Sequence, residues 1–547
     1  MLCAFGPDFP FDFHDWVTHP AGTGRVPVDA CGTRVAIVGG GIAGLVAAHE
    51  LVRLGLQPVV YEIGRLGGRL RSEPFGGGTG AVAELGGMRF PRSGATFFHY
   101  VDRCALDTRP FPNPLTPAAP TTLIELAGQA SFARTLDDLP DLFREVAAAW
   151  DDAVRRHASL LEIQDAMRRR DHAAVAAIWR PIVERWDDRT FYDFVATSEA
   201  FRALSYRHRE VFGQVGFGTG GWDADFPNSM LEILRVVMCE FEEDQQLIVG
   251  GAEQVPRRLW ELPVAAPAHW PAGTSVADVH PGRATRPGVA SIRRDGERLA
   301  VTDRWGATES FDAVLVTCQS WLLTTNIDVE ESLLSHDVWM ALDRTRYTQS
   351  SKTFVMVDRP FWNDVDPATG RPAMSMTLTD RNTRGTYLFD SGPDQPGVIC
   401  LTYAWMGDAM KVLPKSAEER AALAIETLER IYPTAGLREH VVGDPITISW
   451  EADPNFLGAF KGALPGHYRY NHRMYRHFMQ HDLPAQEQGL FLAGDDVSWT
   501  PGWAEGAVQT ALNAVWGIAH RLGGITHADN PGPGDVWAER APVALAD

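Results

Sequence analysis

Val35-Ala36-Ile37-Val38-Gly39-Gly40-Gly41-Ile42-Ala43-Gly44 is the stretch on which the fold turns. Four apolar residues in a row, three of them β-branched, read as a strand buried on both faces, as in a parallel sheet. The glycines that follow make a G-x-G-x-x-G, and 42–54 reads as a helix. A second apolar run, 58–62, reads as the next strand, which completes a β-α-β unit. Gly39 permits the tight turn, Gly41 lets the backbone approach a pyrophosphate, and Gly44 lets the helix pack on the strand. The phosphates would lie at the helix N-terminus, beside Ile42 and Ala43, where free N–H groups and the helix dipole favour negative charge. Glu62, 18 residues after Gly44, suits ribose hydroxyls and disfavours a 2′-phosphate.

Outward from this unit, Gly67-Gly68-Arg69 follows the ribose carboxylate and can wrap a longer cofactor, with the arginine as a cation near its phosphates. Far along the chain, a strand at 490–493 runs into Gly494-Asp495, then come Trp499, Gly502, Trp503, Glu505, Gly506 and Ala507, with a helix expected from about 506. An acid after a strand-terminal glycine suits a ribityl hydroxyl. A helix N-terminus suits negative charge developing on a flavin ring. The three segments favour FAD over NAD, because an NAD enzyme leaves 494–507 without a task. No cysteine lies in 490–510, so the expected flavin is non-covalent.

The chain has 547 residues, 45% of them hydrophobic and 22% charged, enough for three or four domain-sized units. Its net charge of −20 argues against nucleic acid and anionic membrane as partners and is compatible with a cationic small substrate. The six cysteines are scattered, which fits free thiols in a reducing compartment. With no basic and apolar leader at the start, a cytoplasmic location is expected. The longest apolar stretch, 35–48, is 14 residues with four glycines, short of the about 20 a membrane span needs. His477 and His481 lack the glutamate of a zinc motif and neighbour Arg473 and Arg476, so no metal site is expected. Only four lysines occur, Lys352, Lys411, Lys415 and Lys461, against 46 arginines. A lysine retained in such a chain is a candidate for a task that needs a deprotonatable amine.

The cradle, the G-G-R segment and the C-terminal G-D…G-W-x-E-G-A segment together resemble the FAD-dependent amine oxidase superfamily. Glu84-Leu85-Gly86-Gly87-Met88-Arg89-Phe90-Pro91, Gly216-Phe217-Gly218-Thr219-Gly220-Gly221-Trp222 and Ser350-Ser351-Lys352 narrow the likeness to its amino-acid oxidases and 2-monooxygenases. Stretches at 5–11, 223–233, 341–360, 450–470 and 527–536 are similar to the bacterial L-lysine 2-monooxygenases in particular. The resemblance implies an α/β (α+β overall) architecture: a Rossmann-type FAD-binding domain from 30–85, 245–335 and 486–525, and a mixed-sheet substrate domain from 86–135 and 336–485. It further implies a helical insertion at 136–230, an N-terminal arm at 1–29, a tail at 526–547, and a homodimer.

The resemblance also assigns roles. Arg89 would grip the substrate carboxylate in a bidentate fork, with Tyr387 touching the same group. Lys352 would hold a water near flavin N5. Trp503 would wall an aromatic cage, with the Gly502 carbonyl accepting from the amine. Trp405 and Phe460 are candidates for the same cage or plain core aromatics. Gly87, Met88, Val289 and Ala504 join the cofactor contacts. A lysine side chain adds a distal ammonium, for which Asp225 and the run Glu240, Glu242, Glu243 and Asp244 are candidates, a solvated acidic face being the alternative. The lysine-type members carry a small Cys where this chain has Phe241, which leaves both substrate and outcome open. The expected chemistry is oxidation of the α-carbon of a basic L-amino acid with O2. It ends either in oxidative decarboxylation to the amide or, as an oxidase, in 2-oxo acid, ammonia and H2O2. An electron-silent flavoprotein scaffold is the remaining contrast.

Overall fold

The computed structural model describes residues 6–215 and 227–545. Its first sheet is parallel throughout, in the order Gln57–Tyr61, Arg34–Val38, Ala313–Val316, Leu490–Leu492. Every residue of Ala313–Val316 is buried, as expected of a parallel strand covered on both faces. The helix after the glycine turn spans Ile42–Arg53, and the late helix starts at Ala504, two residues before the expected position, and ends at Arg521. These two helices pack on each other beside the sheet. Two chain segments more than 400 residues apart thus converge on one face. Glu62 stands one residue beyond its strand. The hairpins Val289–Asp295, Arg298–Asp303 and Thr308–Phe311 form a second sheet nearby.

A seven-stranded mixed sheet follows the order Val441–Ser449, Ser350–Val357, Gly397–Trp405, Gly385–Phe389, Met376–Thr379, Thr122–Leu126, Gln129–Ala133. Ser350–Val357 is buried along its whole length. Its alternate side chains enter different cores: Phe354 and Met356 pack on one side with Tyr387, and Val355 and Val357 on the other with Leu428. A bulge in the pairing with Gly397–Trp405 falls between Thr353 and Phe354, so that Lys352 faces Tyr403 and Phe354 faces Cys400. Bulges of this kind re-aim side chains beside functional sites. The helix Ala417–Ile431, which covers this sheet, opens on the capping box Ser416/Glu419.

Among the described residues, seven α-helices, from Asp141–Ala158 to Met230–Met238, occupy the stretch after the sheet's outer edge. Phe9, Phe11, Phe13 and Trp16 are buried in the largest core. A three-stranded sheet, Phe90–Pro91 and Thr108–Pro110 on either side of Gln245–Ile248, carries Arg89 at one end and the loop 239–244 at the other. None of the described helices is long and apolar enough to cross a membrane.

Candidate active site

A cavity of about 1550 Å3, partly open to solvent, runs from the glycine turn to the mixed sheet. Gly39, Gly41, Ile42, Ala43, Glu62, Gly68, Arg69, Gly87, Val289, Gly494, Asp495 and Ala504 line it, and so do Arg89, Lys352, Phe460, Gly502 and Trp503. Both helices that point into it begin without a side-chain cap, at Gly41 and at Trp503. Their first N–H groups are therefore open toward the cavity, an arrangement that suits an anion. A Cβ on Gly41 would meet nothing closer than 4.0 Å, whereas one on Gly44 would come within 2.1 Å of the Gly39 carbonyl oxygen. Gly41 thus leaves room for a ligand, and Gly44, off the cavity wall, serves helix packing. The carboxylate of Glu62 accepts from the N–H groups of Gly40 at 2.7 Å and Gly64 at 2.8 Å. Its remaining lone pairs stay available to hydroxyls. The donor set, the bare turn and the carboxylate all fit a dinucleotide.

Arg69 and Asp495, each expected on the cofactor, also pair with each other, Nη1 lying 3.2 Å from Oδ2. Gly87 N–H donates to the Arg69 carbonyl at 3.0 Å, which seats the Glu84–Arg89 segment on the G-G-R segment. Lys352 is 3% exposed and donates to the carbonyls of Gly86 at 2.5 Å and Glu84 at 3.1 Å. Burial pulls its pKa down from 10.5 to about 8, so either protonation state is accessible near neutrality. Lys461, the other buried lysine, donates to the Asp496 carbonyl at 2.6 Å and is likewise lowered to about 8 by burial.

Arg89 lies among three rings, with Phe111 at 5.7 Å and Tyr387 and Tyr403 each at 5.8 Å. Its Nη1 donates to Asn113 Oδ1 at 3.3 Å. Among the described residues no carboxylate comes within ion-pair distance of it. Tyr387 is fully buried and supports Arg89 from behind the cavity wall, while Tyr403 lines the wall, 4.8 Å from Lys352 Nζ. Trp405 backs Phe460 with rings 5.4 Å apart, and Phe241 backs Trp503 at 5.1 Å. Met88 turns into the core under the mixed sheet. Asp225 and the glycine-rich segment 216–222 lie outside the described residues.

The chain matches the family model described as flavin containing amine oxidoreductase over residues 42–519. It belongs to the flavin-containing amine oxidoreductases. This oxidoreductase is 32% identical to the tryptophan 2-monooxygenase of Pseudomonas savastanoi over 560 aligned positions, which cover 96% of each chain. It is 23% identical to the L-amino-acid oxidase of Siganus canaliculatus, over 88% of this chain and 85% of that one. Cyclohexylamine oxidase from Brevibacterium oxydans has a similar fold, with a TM-score of 0.65 at 18% identity over 90% of this chain and 99% of that one. A putrescine oxidase variant gives a TM-score of 0.64 at 17% identity, over 89% and 99%. The oxidoreductase falls in the amino-acid oxidase and 2-monooxygenase branch, and FAD is its cofactor. The monooxygenase relatives named here are tryptophan enzymes, where the sequence likeness pointed to lysine ones.

Several cavity residues of this oxidoreductase were not singled out from sequence: Tyr403, Gln319 and Trp450. No signal in the sequence marks Tyr403, because its place opposite Lys352 comes from the register of Gly397–Trp405 against Ser350–Val357. Glu505, in the first turn of the late helix, was noticed but given no task. Its carboxylate accepts from the N–H groups of Thr96 at 3.3 Å and Phe97 at 2.7 Å. It thereby caps the helix Ala95–Arg103, which has no side-chain cap of its own. The one group of three possible metal ligands among the described residues, Asp12, His14 and Asp15, has Arg170 on both carboxylates.

Proposed function

We propose that this chain oxidises the α-carbon of a basic L-amino acid, L-lysine first, and decarboxylates it to 5-aminopentanamide, CO2 and water. The observation that carries this reading is Arg89. Its guanidinium lines the same cavity as the dinucleotide turn and lacks an acid partner among the described residues. A buried guanidinium with no carboxylate hydrogen-bonded to it has its fork open, and a substrate carboxylate fills it. Arg89 therefore binds and orients the amino acid through a two-point fork. The Gly502 carbonyl accepts from the α-amine. Gly502 holds a φ of 80°, and a Cβ there would come within 3.3 Å of the Phe460 ring, so this turn keeps Phe460 and the carbonyl close together.

Lys352 Nζ exchanges a proton, or holds a water that does, because its pKa near 8 leaves both forms populated. Trp503 and Phe460, backed by Phe241 and Trp405, exclude bulk water from the reacting carbon. Bound FAD supplies the hydride acceptor, with O2 as the terminal oxidant. Retention of the imino acid in the closed site favours the amide, and its early release gives 2-oxo acid, ammonia and H2O2.

A tryptophan-type side chain is the second reading, favoured by the aromatic wall and by the 32% identical relative. Product analysis after aerobic turnover separates these readings. 5-Aminopentanamide from L-lysine without peroxide supports the first. Indole-3-acetamide from L-tryptophan, with no lysine turnover, replaces it. Stoichiometric peroxide and 2-oxo acid mark the oxidase outcome. A yellow protein that no amino acid bleaches under anaerobic conditions overturns the enzyme reading.

A further inference from the structure

The loop 239–244 joins the helix Met230–Met238 to the strand Gln245–Ile248. Its residues Glu240 and Asp244 hold φ of 54° and 42°, left-handed conformations that strain a non-glycine residue. Gln245 fixes the loop, donating to the Phe241 carbonyl at 2.7 Å and accepting from Asn113 at 2.8 Å. Asn113 in turn accepts from Arg89. The loop and the carboxylate anchor therefore form one hydrogen-bonded unit.

That unit presents two neighbours. Phe241 puts its ring against Trp503, a cavity wall. Glu242, partly buried, interacts electrostatically with Arg89 and Tyr387, yet makes no hydrogen bond or ion pair with a described residue. Burial pushes its pKa up to about 7. It lines a second cavity of about 1470 Å3, partly open, together with Asn113, Glu243, Asp390 and Arg109. Arg109, which donates to the Asp390 carbonyl, is the one cation on that wall among the described residues. Glu243 and Asp244 on its own loop and Asp390 across the cavity add negative potential. A half-buried carboxylate whose cation, Arg89, is not at ion-pair distance keeps part of its burial cost, which a cationic ligand removes.

From this geometry we infer that Glu242 is a specificity-determining residue, receiving the distal cation of the substrate side chain while Arg89 holds its carboxylate. This rests on the basic-amino-acid reading above. Phe241 complements it from behind the wall, packing on Trp503 at 5.1 Å and fixing that ring's position.

The test uses holoenzyme and two substrates of near-equal length, L-lysine and uncharged L-norleucine, in anaerobic stopped-flow reduction. The concentration dependence of the rate separates Kd from the reduction step. For Glu242→Gln we expect the Kd for L-lysine to rise about tenfold to hundredfold, and that for L-norleucine to stay within about twofold. Glu242→Asp, which keeps the charge with a shorter reach, should fall between the parent and Glu242→Gln. Equal shifts for both substrates, or an unchanged lysine Kd, overturn the assignment of Glu242 and leave the function standing. A parent enzyme that binds norleucine or tryptophan but not lysine overturns the basic-substrate reading, and this inference with it.

Discussion

Arg89 and Arg235 occupy similar surroundings and do opposite things. Arg235 lies with its guanidinium near the rings of Trp499 at 5.0 Å, Trp179 at 5.6 Å and Tyr468 at 5.8 Å, much as Arg89 lies among Phe111, Tyr387 and Tyr403. But Arg235 is answered. Asp8 takes its Nε at 2.6 Å and its Nη2 at 3.0 Å, and the Trp179 indole N–H closes on the same carboxylate at 2.9 Å. That fork pins the N-terminal segment to the helical layer. Arg89 has rings and an amide, and among the described residues no acid at ion-pair distance. An arginine paired within the fold holds the fold together; one surrounded by everything except its acid is prepared for a ligand.

Replacement of each arginine tests this contrast most sharply. Arg89→Met should lower kcat/KM for the amino-acid substrate by about 10³-fold or more, roughly 4 kcal/mol, while stability in denaturant stays level or rises. Asp8→Asn should do the reverse, costing about 3–5 kcal/mol of stability and leaving kcat/KM per flavin unchanged. The double variant Asp8→Leu with Arg235→Met should recover most of that loss, because no charge is then stranded. If Arg89→Met unfolds the protein instead, the two sites are alike and the contrast fails.

Lys352 extends the same argument to pH. Its pKa is 10.5 in the unfolded chain and about 8 when folded, so the unfolded chain binds the extra proton between those values and stability rises with pH across that window. Below pH about 8 the full penalty is present. Lys352→Met should therefore stabilise the protein at pH 7 by on the order of 3 kcal/mol, a gap that closes as pH approaches 10.5. Turnover should fall in the same variant. Denaturant titrations at several pH values, paired with oxygen uptake, check both halves.

Asn113→Asp should turn Arg89 toward the condition of Arg235, since it supplies a carboxylate at the position now 3.3 Å from Nη1. We expect KM to rise about tenfold, with stability up by a few tenths to about 1 kcal/mol. Tyr403→Phe, which removes only a hydroxyl beside the anchor, should raise KM about two- to fivefold. Steady-state kinetics reads both.

The sequence showed the cradle clearly because its logic is local: strand, glycines, helix and acid fall within 28 residues, 35–62. Arg89, Lys352 and Trp503 came from motif likeness, and the structure places all three on one cavity. The parts that stayed hidden depend on register and on long-range pairing. Tyr403 rather than Tyr387 lines the wall because of which residue stands opposite Lys352 across a bulged strand pair. The chain Arg89–Asn113–Gln245–Phe241 links residues more than 130 positions apart, and no periodicity in any one of its segments points to the others. Arg69 and Asp495 were each read alone as cofactor contacts, and their mutual pairing is a tertiary fact. Asp8–Arg235 escaped notice for the same reason.

The distribution of lysine has a practical consequence. Lys352 and Lys461 are interior, which leaves Lys411 and Lys415 as the exposed side-chain amines of a surface otherwise basic through guanidinium. Neither belongs to the cavity wall. Activated esters, amine cross-linkers and aldehyde-coated supports would thus find their side-chain targets in one five-residue strip, 411–415. A sensor film made through that strip would hold its molecules in a common orientation, with the oxidising cleft left unmodified.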